Sequence, residues 1–214
     1  MKLHHRARTL RATIGITALL ICSAGGVPAA TAGEPVSNDV AFQSFVSELK
    51  VDEGTRAALA EKFNELSETK QRSFLDEAAA DPLSVMEFED ASEPTLSAAG
   101  GIQSRAAASR YTATYPVNAN MFGITTGTFN LRYVFEATPS AVTRNLECTG
   151  WFSGVGGVWS INSTSSQYIS GGIGTCSVTH RMSFLYKGSA WSANKHHQLS
   201  YRGTTLTNGW LKNV

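Results

Sequence analysis

The sequence predicts a mostly β protein: an antiparallel β-sandwich or small barrel with one disulfide, preceded by a short helical N-terminal segment. Three observations lead there. From residue 108 onward, short runs of alternating apolar and polar residues recur, divided by Gly154-Val155-Gly156-Gly157, Gly171-Gly172 and Asn208-Gly209, the pattern of short strands joined by glycine-rich turns. Cys148 and Cys176 both fall on the inward positions of such runs, where a bridge would join two strands through the core. Apolar residues at helical spacing are confined to the chain before residue 90, so helices and strands are segregated along the sequence.

Residues 1–32 read as a secretory signal peptide. Lys2, Arg6, Arg8 and Arg11 precede an apolar run from Thr13 to Cys22, and Ala30-Thr31-Ala32 offers a cleavage site after Ala32. The apolar run is about half the roughly 20 residues a spanning helix needs, so no transmembrane span is expected in the mature protein. Cleavage would remove Cys22 and leave two cysteines in an oxidising, extracellular compartment.

Residues 33–90 read as an acidic helical segment. Phe42, Phe45, Val46 and Leu49 lie at i, i+3, i+4 and i+7 behind Ser37 and Asn38 as caps, Leu59, Phe63 and Leu66 repeat the spacing, and Phe74-Leu75 begins a third piece ended by Asp81-Pro82. Short amphipathic helices bury little by themselves, so these are expected to lie on another surface or to be partly unfolded. Residues 91–107, rich in Ala, Ser and Gly, read as a flexible linker.

Residues 108–214 read as a basic β-domain. Phe129, Leu131, Tyr133 and Phe135 alternate with Asn130 and Arg132, and Thr138-Pro139-Ser140-Ala141 follows as a turn. A hairpin closed there sets Leu131 opposite Cys148, Tyr133 opposite Leu146 and Arg132 opposite Glu147, apolar with apolar and charge with countercharge. Cys176, Val178, Met182, Phe184 and Tyr186 form a second inward set, turning at Gly188-Ser189 and returning through Trp191, Leu199 and Tyr201. A Cys148–Cys176 bridge would stabilise the fold by about 3.6 kcal/mol through chain entropy.

Whole-chain averages, 42% hydrophobic, 16% charged and a net charge of +1, conceal a charge split. Residues 33–107 carry 15 acidic and 6 basic side chains, a net −9, and residues 108–214 carry 8 basic and 2 acidic, a net +6. With Arg105 and Arg110 at the junction as sites for processing, the acidic part is a candidate pro-segment over a basic surface. Signal, acidic helical segment and basic β-domain together resemble the layout of secreted precursors of Gram-positive bacteria.

Catalytic patterns are sparse. Glu136 and Glu147 are the only carboxylic side chains after residue 107, and that hairpin sets them roughly 13 Å apart, beyond glycosidase spacing. No Asp follows Asp90, so a Ser-His-Asp triad is lacking, and bridged cysteines supply no thiol. His180 and His197 would face each other if Gly188-Ser189 sets the register, forming half of a Zn²⁺ or Cu²⁺ site or the centre of a hydrolase. Lys187, Trp191, Lys195, Tyr201, Arg202 and Trp210 interleave aromatic rings with cations, a candidate surface for glycan or anionic envelope. Phosphate-loop, dinucleotide and EF-hand patterns are absent, so no cofactor and no nucleic acid are expected. The sequence therefore favours a secreted, non-enzymatic effector, bacteriocin-like or toxin-like, that binds an anionic cell-envelope component. A carbohydrate-binding or adhesion module is the alternative, and a hydrolase or metal site at His180/His197 stands behind both.

Overall fold

A computed structural model describes residues 36–98, 108–154, 160–186 and 189–214. The side chains of residues 184–186 and 189 lie outside that description, as do the signal segment 1–32 with Ala32, Arg105, Val158-Trp159 and Lys187.

Among the described residues three helices come first: α1 (Asn38–Leu49), α2 (Glu53–Asn64) and α3 (Glu68–Ala80). Ser37 caps α1 by accepting from the Val40 N–H at 3.4 Å, and Asp52 caps α2 by accepting from the Thr55 N–H at 2.9 Å, each satisfying a donor the helix leaves open. The expected apolar stripe is the buried one: Phe42, Phe45, Val46 and Leu49 of α1 meet Leu59 and Phe63 of α2. Phe42 stacks on Phe63 with ring centroids 4.0 Å apart, and Phe74 of α3 sets its edge against both.

Among the described residues nine strands follow: β1 (Glu87–Asp90), β2 (Thr95–Ala98), β3 (Ser109–Met121), β4 (Ile124–Ala137), β5 (Val142–Gly154), β6 (Ser160–Ser170), β7 (Ile173–Tyr186), β8 (Ser189–Arg202) and β9 (Thr205–Asn213). All pairings are antiparallel. One sheet runs β1-β3-β4-β5, with β2 also on the β3 edge, and the other runs β6-β7-β8-β9. The sheets face each other as a sandwich, filled by Ala113, Tyr115 and Val117 of β3, Phe129 to Phe135 of β4 at alternate positions, Val178 of β7, and Leu199 and Tyr201 of β8. Cys148 of β5 and Cys176 of β7 are bonded, Cα atoms 5.4 Å apart, so the bridge ties one sheet to the other through the core.

Three expectations need correcting. In the β4–β5 hairpin the partner of Cys148 is Tyr133, that of Leu131 is Gly150 and that of Arg132 is Thr149. Irregularities between Val134 and Phe135 and between Glu136 and Ala137 move the register by two residues, as bulges do. A shift of two preserves which face each side chain takes, and Arg132 still reaches Glu147 diagonally, at 3.6 Å. In the β7–β8 hairpin Tyr186 pairs with Ser189, a register two residues from the one expected, and His180 lies opposite Lys195 while His197 lies opposite Val178. Residues 87–98, assigned from sequence to the end of the helical segment and to the linker, carry β1 and β2. Neither four-residue strand has a core pattern of its own, and both exist by pairing with β3.

Candidate functional site

The two histidines stand inside the sandwich, fully buried, with ring centroids 5.9 Å apart. His180 Nδ1 is 2.8 Å from Ser163 Oγ, while Phe129 packs on the His180 ring and Tyr115 on that of His197. Burial pushes the His180 pKa down to about 4. It pushes that of His197 down to about 3, with His180 and His196 adding to the effect, because a low-dielectric surrounding penalises the imidazolium. Both rings are therefore neutral at pH 7. Among the described residues no group of three His, Cys, Asp or Glu gathers. Two imidazoles are fewer than the three or four protein ligands a zinc site takes; His180 Nε2 and both ring nitrogens of His197 are buried without a hydrogen-bond partner.

The aromatic–basic set is divided by strand alternation. Tyr201 points inward, 2% exposed, its ring 5.3 Å from that of Phe135. Lys195 also points inward and is buried; its Nζ donates to Asn213 Oδ1 and lies 3.3 Å from the Phe88 ring centroid. Burial lowers the Lys195 pKa to about 8, with the Asp81 carboxylate opposing that shift. Trp191 packs into the helical cluster. Arg202 is exposed. Trp210, half-buried, lies beside His196 at 5.2 Å with the Lys212 ammonium 4.7 Å over its ring. The five described residues of the set therefore do not form one surface. Arg110, the junction residue within the described chain, is exposed near the start of β3 and pairs with Glu136 of β4.

What the structure does bring together is the acidic segment and the basic domain. β1 and β2 pair with the outer edge of β3. Glu89 accepts from the Asn120 side chain at 3.0 Å, Asp90 from the Tyr115 hydroxyl, and Thr95 and Thr114 share a hydrogen bond of 2.6 Å. At the end of the β3–β4 hairpin the helices meet an apolar turn. Met121 is fully buried in the helical cluster rather than in the sandwich core, and Phe122, Ile124 and Trp191 pack into the same cluster with Val85 and Met86. Phe122 lies 4.8 Å from Phe74 and 6.2 Å from Phe42, centroid to centroid. Sequence reasoning missed this contact. Its signal was Met121-Phe122-Gly123-Ile124, a turn dipeptide ending in Gly with an aromatic residue where Asn or Asp is customary.

The chain matches no protein-family model, no curated protein and no solved structure. Its class is defined by fold and contact: a disulfide-bridged antiparallel sandwich carrying an acidic helical segment on one end and one edge.

Proposed function

We propose that the chain is the precursor of a secreted, non-enzymatic effector, bacteriocin-like or toxin-like in action. Its basic β-domain binds an anionic component of a cell envelope, and the acidic segment withholds that binding until the chain is cut between residues 98 and 108. The observation that carries this is the arrangement of cover and covered. A stretch of net charge −9 supplies three helices and two strands, all resting on the hairpin end and free edge of a domain of net charge +6. Six of the domain's cations, Arg110, Arg132, Arg144, Arg181, Arg202 and Lys212, are exposed with the acidic segment in place, so the segment opposes a polyanion through its charge of −9 and not by covering them, and added salt screens both effects.

The test is sedimentation with isolated Gram-positive envelopes, comparing the intact chain with the chain cut at residues 99–107 and freed of its acidic part. The freed domain is expected in the pellet at low salt and in the supernatant at high salt, with the intact chain in solution throughout. Equal partition of both forms would contradict the reading. Trp210 with His196 and Lys212 on the outer side of β8–β9 favours one alternative, a glycan-binding module that stacks a sugar on the indole. In that case Trp210→Ala abolishes pelleting and salt does not.

A further inference from the structure

We propose that Lys195 and Asn213 form a self-modification site: the Lys195 amine attacks the Asn213 side-chain amide, and an isopeptide bond then joins β8 to β9. The inference is independent of the envelope reading and holds whether or not the acidic segment is ever removed. Strand register sets it up. Lys195 and Asn213 are direct partners in the β8–β9 pair, and side chains of directly opposite residues leave a sheet on the same face. Alternation along β8 turns Lys195 inward with His197, Leu199 and Tyr201 and leaves it 4% exposed. Its Nζ comes within 2.5 Å of Asn213 Oδ1 and lies 3.3 Å from the centroid of the Phe88 ring.

Among the described residues no carboxylate forms an ion pair with Lys195. An ammonium buried without a countercharge in contact is costly. Burial lowers the Lys195 pKa to about 8, so at pH 8 about half of it is the free, nucleophilic amine. The step is a transamidation that needs no co-reactant. The Nζ lone pair adds to Asn213 Cγ and the Nζ–Cγ bond forms; the Cγ–Nδ2 bond breaks, a proton from Nζ passes to Nδ2, and ammonia leaves. The buried cation thereby becomes a neutral secondary amide. The carboxylate of Asp81 acts on the Lys195 charge and lines one groove with Lys195, Asn213 and Phe88, which assigns it to carry that proton. Asn213 is exposed, giving the ammonia an exit. The Val214 N–H, the competing nucleophile for the same Cγ, is held in a hydrogen bond to the Asn194 carbonyl at 3.2 Å.

The experiment uses the full disulfide-bonded chain, incubated at pH 8, then reduced, digested with trypsin and weighed by mass spectrometry. Trypsin cuts after Lys and Arg but not after a lysine whose amine is an amide. The expected product is therefore peptide 188–202, uncut at Lys195 and branched to the peptide that begins at Asn213, lighter than their sum by one ammonia. Lys195→Met, which suits a buried position, and Asn213→Ala should each abolish it. Asp81→Asn should slow its formation at least about tenfold, and an unchanged rate would overturn the assignment of the proton to Asp81. Cleavage after Lys195 with no branched peptide would overturn the proposal, whether Asn213 is intact or has lost ammonia by closing on its own main chain. That result is read from the unsubstituted chain, so a variant that fails to fold leaves the test standing.

Discussion

The helical segment and the sandwich are held together by different means. The helices owe their burial to a phenylalanine stack that closes on the tip of a hairpin they do not belong to. The sandwich owes its to inward residues of both sheets and to a covalent bridge between them. The helices α1 to α3 supply no strand to either sheet and no half of the bridge, whereas without the sandwich they would lose Met121, Phe122, Ile124 and Trp191. The difference makes the helical cluster dependent on the sandwich for part of its packing.

The largest effect that would sharpen this contrast comes from Phe63→Ala. Loss of the 4.0 Å stack with Phe42 should cost about 3–5 kcal/mol in the helical cluster. Far-UV circular dichroism in urea would show the helical signal lost at lower denaturant while the β signal keeps its midpoint. Replacing both Cys148 and Cys176 by Ala acts on the other region. For a sequence separation of 28 residues the chain-entropy cost is about 3.6 kcal/mol, read as a lower urea midpoint for the β signal.

Acid should also act on the sandwich first. His180 and His197 have folded pKa values of about 4 and about 3, both below the ordinary 6.5. As pH falls below 6.5 the unfolded chain takes up protons that the folded chain refuses, so stability falls through the window from 6.5 toward 3 and is fully present above it. At pH 5 the loss is about 2 kcal/mol for each histidine. Urea titrations at pH 7.5 and pH 5 measure it, and His197→Leu should flatten the dependence by about half. The smallest effect belongs to Arg132→Ala. Its pair with Glu147 is 3.6 Å long and more than a third exposed at both ends, so the change should stay below about 1 kcal/mol.

Legibility in the sequence followed periodicity. Phe42, Phe45, Val46 and Leu49 announce α1 because one face of a helix must be apolar, and Phe129 to Phe135 announce β4 for the corresponding reason in a strand. Periodicity fixes faces but not partners. Both hairpins were expected in registers differing from the real ones by two residues, because bulges and the position of a turn leave little trace in the apolar pattern. Alternation also explains why Trp151 is 45% exposed while its neighbour Phe152 packs on Phe129. It likewise explains why Lys195 and Tyr201 turn into the core while Arg202 remains outside. β1 and β2, with sequences EFED and TLSA, could not be read at all. Their strand state comes from the edge of β3, a tertiary cause without a local signal. The contact of Phe122 with the helices was hidden for the same reason, as it joins residues 48 positions apart from Phe74 and 80 from Phe42.

Native-state hydrogen exchange in low urea tests the dependence of the helices on the sandwich most directly. Amides of α1, α2 and α3 are expected to exchange through an opening at least about 2 kcal/mol below global unfolding, while amides of β4 and β7 exchange only with the whole domain. Exchange of helices and sandwich at one free energy, with one urea dependence, would make them a single cooperative body and contradict the helical segment as a separable cover.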